Sequence, residues 1–160
     1  MITTERQPMT VAGKARLEAE LKNLLQVERP AVIKAIEEAR GHGDLSENAD
    51  YDAAKERQAF VEARIAEIQG KLANAEVVDT AVLKSTKVIF GAHVELLDCE
   101  TDDNFTYQIV GEDESDVKSG KISVFSPLAR SLIGKSVGEI VELKSPKGEK
   151  EFEVLKIFFK

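Results

Sequence analysis

Two carboxylates, Asp44 and Glu47, lie three residues apart in a short segment between two helical patterns. At the start of a helix this spacing places both side chains on one face, with Cβ atoms roughly 5–6 Å apart. An aspartate N-cap with glutamate three positions later is a capping box, which is the commoner meaning of the spacing alone. The alternative is chemical, because carboxylate oxygens are the ligands that Mg²⁺ prefers.

The chemical interpretation requires a second molecule. Two carboxylates are too few to hold Mg²⁺, so we expect no metal bound by this chain alone. In a partner's active site that already holds a metal ion, Asp44 and Glu47 would help to coordinate a second Mg²⁺ and orient a water for phosphodiester hydrolysis. The two interpretations are compatible, since a cap also holds the carboxylates in place.

The flanking elements predict an αα-hairpin. The first apolar run has spacings mainly of three and four and comprises Leu17, Leu21, Leu24, Leu25, Val32, Ile33, Ile36 and Ala39. The second run has the steps of a heptad seam and comprises Ala54, Gln58, Val61, Ile65, Ile68, Leu72 and Ala75. Gly41 and Gly43 end the first helix and permit a short turn, which makes the helices antiparallel neighbours. Pro30 predicts a kink or a short break near Arg29.

The second half of the chain has the period-two pattern of strands. We predict strands at residues 88–97 (interrupted near Gly91), 105–110, 122–125, 140–143 and 152–158, with a short helix after Ser126-Pro127. The predicted fold class is α+β in two domains. The boundaries are 1–75 for a coiled-coil hairpin, 76–84 for a linker and 85–160 for an antiparallel sheet with one helix.

Composition limits the function classes. Acidic residues outnumber basic ones, giving a net charge of −7, which is unlike a free-standing duplex-binding protein. Cys99 is the single cysteine, so an intramolecular disulfide and a multi-cysteine zinc site are excluded. No apolar stretch is long enough to predict a membrane span, and the amino terminus does not resemble a secretion signal. A cytoplasmic location is therefore the expectation. We also expect a monomer, since a tethered hairpin favours pairing within the chain over dimerisation.

Several separated motifs resemble one known family. The stretch from Glu38 to Tyr51, EARGHGDLSENADY, is similar to the tip of bacterial Gre transcript cleavage factors of the GreA type. Further similarity lies in Arg29-Pro30, VIFGA at 88–92, YQIVG at 107–111, and ISVFSPLAR at 122–130. The resemblance covers nearly the whole chain.

The resemblance implies a fold and a function. The carboxyl-terminal domain would be FKBP-like and would dock at the rim of the secondary channel of RNA polymerase, through Phe125, Ser126 and Pro127. The tip would reach the active site, where Asp44 and Glu47 support a shared Mg²⁺ and the attacking water. The polymerase would then cleave the 3′ end of backtracked nascent RNA. The chain would not itself be an enzyme and would have no cofactor of its own.

The residues around the tip have smaller predicted roles. Ser46 and Asn48 are expected to support the tip by hydrogen bonds to water or polymerase, Asp50 by its charge, and Tyr51 by packing. A solvated loop position is expected for His42 and a structural role for His93. Lys55 and Arg57 are expected to pair with acids one helical turn away.

Three alternatives remain open at this stage. A Gre-like inhibitor would occupy the same channel without stimulating cleavage, although the presence of both Asp44 and Glu47 favours the stimulating type. A coiled-coil adaptor would use the tip only as a capping box. A prolyl isomerase built on the second domain is disfavoured, because few aromatic residues and no tryptophan are available to line an apolar pocket.

Overall fold

The computed structural model describes residues 6–41 and 48–160. These residues form two compact units, one from Lys14–Ala75 and the other from Arg6–Gly13 together with Glu76–Lys160. The sequence placed residues 1–75 in one domain, whereas the structure groups Arg6–Gly13 with the carboxyl-terminal part of the chain. No helix in the described ranges is both long and apolar enough to cross a membrane.

The first unit is the predicted helical hairpin. Its first arm contains helix α1 (Val11–Asn23), a π-helical turn (Leu24–Glu28) and helix α2 (Arg29–Arg40), and its second arm is helix α3 (Ala49–Ala73). The predicted seam is confirmed by the buried side chains of the two arms, which are Leu17, Leu24, Val32, Ile36, Ala39, Ala54, Val61, Ile65 and Ile68. Ile33 is an exception, because its side chain is 46% exposed.

The π-helical turn explains how the first arm keeps one apolar face. On α3 the buried Ala54, Val61 and Ile68 recur every seven residues, as a straight heptad seam requires. On the first arm, however, the buried Leu24 and Val32 are eight residues apart. One π turn of about 4.4 residues and one α turn of 3.6 together take about eight residues, so both side chains still face α3.

Pro30 supplies a second reason for this turn. A proline inside a helix has no N–H to donate, and its ring crowds the carbonyl four residues earlier. The wider π turn ends at Glu28, where α2 begins with Pro30 in its first turn. The irregularity expected near Arg29 is therefore a local widening, and the helical backbone continues through it without a break.

The second unit is built on a five-stranded sheet. Its strands are β3 (His93–Asp98), β4 (Asn104–Val110), β5 (Lys121–Ser123), β6 (Ile140–Ser145) and β7 (Gly148–Phe158), in the spatial order β5-β4-β3-β7-β6. All neighbouring pairs are antiparallel except β4 and β5, which pair in parallel from Gln108 with Lys121. The short helix α4 (Pro127–Leu132) packs against this sheet. The predicted α+β class with one short helix is confirmed.

The core of this unit lies between one face of the sheet and α4. Val94 and Leu96 of the central strand β3 are fully buried, as is Val154 of the neighbouring strand β7. Ala129 and Leu132 of α4 are also fully buried and complete the same cluster. Alternation along β3, which buries Val94, Leu96 and Asp98, matches the period-two pattern of the sequence.

One predicted strand segment is wrong. Val88–Phe90 does not continue β3, although its apolar run resembles a strand. The N–H of Val88 donates to the carbonyl of Lys135 at 2.8 Å, and its carbonyl accepts from Gly134 at 2.8 Å. This segment is therefore held by the loop after α4 rather than by the sheet. A local pattern cannot distinguish these two partners, because both satisfy the backbone equally well.

Two strands were not predicted. Strands β1 (Gln7–Thr10) and β2 (Ala75–Val78) pair as a separate two-stranded sheet, and β2 lies at the start of the region predicted to be a linker. The segment containing β1 is further held by Glu114, a carboxylate that is only 6% exposed. Glu114 accepts from the backbone N–H groups of Thr10 and Gly111, each at 3.0 Å, and from the Thr10 hydroxyl. These bonds explain why residues 6–13 belong to the second unit.

Candidate functional site at the hairpin tip

The tip begins where α2 ends. The last residue of α2 is Arg40. Gly41 caps this helix, and its N–H donates to the carbonyl of Glu37 at 3.3 Å. The φ angle of Gly41 is −66°, an ordinary right-handed value. The left-handed freedom that glycine provides is therefore not used at this position, and Gly41 acts as a helix terminus of normal geometry.

The tip ends at Asn48, which is the N-cap of α3. Its backbone is extended, and its side-chain Oδ1 accepts from the N–H of Tyr51 at 3.1 Å. Its Nδ2 donates to the carbonyl of Ala39, in the last turn of α2, at 2.6 Å. One amide side chain therefore bonds both arms of the hairpin. The sequence predicted contacts of Asn48 with water or polymerase but not this bridge between the arms.

Helix α3 begins at Ala49, with Asn48 as its N-cap. The capping box predicted for Asp44 and Glu47 falls outside the residues that the structure describes and stays a prediction. Asn48 stands immediately before an acidic first turn, which is a helix-start signal that can be recognised in the sequence. Asp44, Ser46 and Glu47, together with His42, lie outside the residues that the structure describes.

The first turn of α3 carries the remaining tip residues. Asp50 and Asp52 are exposed acids in this turn, where negative charge is stabilised by the positive end of the helix dipole. Tyr51 is half-buried, and the packing role expected for it stays a prediction. In the described ranges, no group of three or more His, Cys, Asp or Glu side chains is arranged to hold a metal ion.

Ion pairs between the arms hold the helices that carry the tip. Arg29 bonds Glu62 through Nε and Nη2, both at 2.8 Å, and this contact lowers the pKa of Glu62. Arg64 makes a similar two-bond contact with Glu20 at 2.7 and 2.8 Å, which lowers the pKa of Glu20. Bidentate geometry restricts the rotation of both side chains and so favours one register of the arms.

Two basic residues near the tip have partners other than those expected. Arg57 pairs with Glu28 on the opposite arm at 2.9 Å and also lies over the ring of Phe60, 5.3 Å from its centroid. Lys55 donates to the side-chain oxygen of Gln58 at 3.1 Å. The expected pairing with acids one turn away is thus replaced by a contact between the arms and by a neutral partner.

The predicted docking segment lies at the start of α4. Ser126 is the N-cap, because its hydroxyl oxygen accepts from the Ala129 N–H at 3.3 Å while the hydroxyl donates to the Ser123 carbonyl at 2.7 Å. Its polar group is therefore engaged within the fold. Phe125, whose side chain is 42% exposed, and Pro127 present the accessible surface of this segment.

His93 has the structural position that the sequence predicted. Its ring stacks on Phe158 at a centroid distance of 5.0 Å. Burial, assisted by the nearby charge of Lys160, lowers the pKa of His93 and favours the neutral imidazole. The residue therefore contributes to packing where β3 begins and β7 ends.

Comparisons with known proteins assign both halves of the chain. Residues 7–77 match the family described as "Transcription elongation factor, N-terminal", and residues 83–158 match "Transcription elongation factor, GreA/GreB, C-term". Transcription elongation factor GreA of Hyphomonas neptunium is 58% identical and covers 98% of this chain and 99% of its own length. The protein of the same name from Caulobacter vibrioides is 58% identical and covers 96% of this chain and 98% of its own length.

Solved structures include a related protein. GreA factor homolog 1 of Thermus thermophilus is 29% identical and covers 96% of this chain and 99% of its own, with a TM-score of 0.45.

Proposed function

Because this chain belongs to the GreA/GreB family of transcription elongation factors, we propose that it binds bacterial RNA polymerase and stimulates cleavage of backtracked RNA. The second unit docks at the rim of the secondary channel, and the hairpin tip enters the channel to reach the active site. Helix α3 has 25 residues and is about 37 Å long, a length suited to reaching a buried site. The proposed docking residues are Phe125, Ser126 and Pro127.

The proposed reaction is hydrolysis of one phosphodiester bond in the nascent RNA. The oxygen of a water molecule bonds to phosphorus, and the bond from phosphorus to the 3′ oxygen of the upstream RNA breaks. That oxygen takes a proton and becomes a 3′ hydroxyl, while the phosphate remains on the released fragment. Resumed synthesis requires this distribution, because the polymerase extends a free 3′ hydroxyl.

Asp44 and Glu47 are the residues proposed to act on this reaction. Carboxylates suit Mg²⁺ as ligands, but two are too few for a resident site, which fits a Mg²⁺ shared with the polymerase. When bound, the metal would supply Lewis-acid stabilisation of the phosphoryl oxygens. The carboxylates of Asp44 and Glu47 would orient the attacking water towards phosphorus. The chain would thus assist the polymerase's own activity, with no active site of its own.

The observation that carries this proposal is the match of both halves of the chain to one family, at 58% identity over nearly the full length of a relative. The carboxylates lie between the described ends of α2 and α3, which the ion pairs and the Asn48 bridge hold together. A rigid hairpin that carries two acids at its turn is a suitable delivery device for them.

The test uses stalled, backtracked polymerase complexes with Mg²⁺ and RNA labelled at its 5′ end. Addition of the full-length protein should shorten the labelled RNA and leave an extendable 3′ end. Asp44→Asn and Glu47→Gln preserve side-chain size and should each reduce the cleavage rate about 100-fold, a loss of the size seen when one stabilising group is removed from an active site. Binding to polymerase should remain close to that of the parent protein.

The matched control is Glu56→Gln, which removes an exposed carboxylate farther along α3. This variant should cleave like the parent. Cleavage by both tip variants at the parent rate would refute the role of Asp44 and Glu47. Slower synthesis without RNA shortening would instead indicate a channel inhibitor, and an absence of both effects would indicate an adaptor.

A further inference from the structure

We propose that Asn48 is a positioning residue that holds both ends of the tip segment in register, so that Asp44 and Glu47 are presented together. The inference rests on the proposed function, which assigns those carboxylates to RNA cleavage. It adds a role for a side chain that does not itself touch the metal, the water or the RNA.

The geometry of Asn48 supports this role. Its Nδ2 donates to the Ala39 carbonyl at 2.6 Å, and its Oδ1 accepts from the Tyr51 N–H at 3.1 Å. The first bond reaches the end of α2 and the second reaches the first turn of α3. The two helix ends that flank residues 42–47 in the sequence therefore share the hydrogen bonds of a single side chain.

Both bonds satisfy backbone groups that a helix leaves without partners. The carbonyls of the last turn of α2 have no N–H donor inside their own helix, and the N–H groups of the first turn of α3 have no carbonyl acceptor inside theirs. The bridge is also anchored in the rigid part of the hairpin, because Ala39 is only 2% exposed and lies in the seam. Movement of α2 against α3 at this level would break one of the two bonds.

Fixing the loop ends matters for the proposed chemistry. A loop whose ends are joined has fewer conformations than one with independent ends, so less order has to be gained when the tip takes up one geometry. Displacement of a catalytic group by about 1 Å can lower a rate about 100-fold. Asn48 reduces this displacement before the tip enters the polymerase.

Two substitutions separate the cap from the bridge. Serine is as good an N-cap as asparagine and can accept from the Tyr51 N–H, but it is too short to reach Ala39. Asn48→Ser therefore retains the cap and loses the bridge, whereas Asn48→Ala loses both. Gln26→Ala is the matched control, since it removes an exposed amide from the same hairpin, in the π-helical turn.

Three measurements on the full-length protein test the inference. The first is the cleavage rate of backtracked complexes at saturating factor, the second is the Mg²⁺ concentration for half-maximal cleavage, and the third is hydrogen exchange at the Tyr51 amide. Asn48→Ser should bind polymerase like the parent and keep slow exchange at Tyr51. Its cleavage rate should fall about 10- to 100-fold and its Mg²⁺ requirement should rise, because the carboxylates are no longer presented in register. Asn48→Ala should show the same cleavage defect with faster exchange.

The outcomes distinguish the inference from the proposed function. If Asp44→Asn lowers the cleavage rate about 100-fold while Asn48→Ser cleaves like the parent, the positioning role is wrong and the proposed function stands. A defect of Asn48→Ser that disappears at saturating factor would also overturn the inference, since it would reflect binding alone. If the parent protein does not shorten RNA, the proposed function and the inference both fail.

Discussion

Asp98 shows how a single side chain organises a turn in this fold. It lies at the end of β3 with only 4% of its surface exposed, and its Oδ1 accepts from the N–H groups of Glu100 at 2.9 Å and Thr101 at 3.3 Å. These backbone donors lower the pKa of the Asp98 carboxyl, because they stabilise its ionised form. The turn that connects β3 to β4 therefore depends on a charged carboxylate.

This dependence predicts a pH effect on stability. Since the pKa of Asp98 is lower in the folded than in the unfolded protein, its stabilising contribution is present above the ordinary pKa of about 3.9. The contribution is lost as the pH falls through the folded pKa. Asp98→Asn keeps an acceptor but loses the charge, so it should lower the melting temperature at pH 7. The gap between variant and parent should narrow as the pH falls below about 4.

The measurement is thermal unfolding by circular dichroism from pH 7 to pH 2. Asp103→Asn serves as the control, because Asp103 lies in the same turn with an exposed side chain. A constant difference between Asp98→Asn and the parent across this range would show that the charge of Asp98 is not the stabilising feature.

At the scale of elements, the two arms of the hairpin follow different repeats. Helix α3 keeps an unbroken heptad seam, whereas the first arm contains one extra residue between Leu24 and Val32. The π-helical turn at Leu24–Glu28 accommodates this residue and also gives room to the ring of Pro30. The extra residue and the proline ring thus act at the same place, and deletion of one residue from the π-helical turn can separate their effects.

Deletion of Gln26 should convert the π-helical turn to an α-helical one. Leu24 and Val32 would then be seven positions apart, which still places both on the seam. The Pro30 ring would again crowd the preceding turn, so the deletion alone should destabilise the hairpin by about 3 kcal/mol. The deletion combined with Pro30→Ala should restore most of this loss, as measured by urea unfolding.

Deletion of Ala59, an exposed residue of α3, provides the contrasting control. Because α3 contains no extra residue in its seam, this deletion rotates one half of the seam by about 100° relative to the other half. The deletion should therefore unfold the hairpin. Equal effects of the two deletions would contradict the role assigned to the π-helical turn.

At the scale of the whole molecule, the amino-terminal segment belongs to the carboxyl-terminal unit. The Glu114 carboxylate accepts the hydrogen bonds of Thr10, and the N–H of Gly13 donates to the Thr10 hydroxyl oxygen at 3.0 Å. A Cβ atom at Gly13 would overlap the Glu114 side chain, so glycine is required for this close approach. Strand β1 then pairs with β2, which continues the same unit.

The fragment 85–160, which follows the boundary predicted from sequence, should therefore be less stable than the same residues in the full chain. It lacks β1 and β2 and, with them, the Thr10 groups that donate to the Glu114 carboxylate. Loss of these hydrogen bonds and of the pairing of β1 with β2 should lower the free energy of unfolding by about 1–3 kcal/mol in chemical denaturation. Addition of a peptide with residues 6–13 should restore part of this stability. The control is a peptide with Thr10→Val, which retains the shape of threonine without its hydroxyl.

Much of the fold could be predicted because its signals are local. The apolar steps of three and four predicted both arms, and Ser126-Pro127 predicted the start of α4. Alternation predicted β3, β4, β5 and β6 of the five-stranded sheet and the later part of β7. The hydrogen-bond partners of Val88 and the parallel pairing of β4 with β5 were not predictable, because each depends on which distant segment satisfies the backbone N–H and C=O groups.

By itself, the sequence determined the repeat of each helix, the apolar face of each strand and the acidic character of the turn, since these properties depend on the spacing of residue types along one element. Only the tertiary structure decided the partners of the polar side chains. Asn48 bonds a carbonyl nine residues earlier, and Glu114 bonds a threonine 104 residues away. A polar group requires a partner but does not specify one, and the choice is made when packing brings the two segments together.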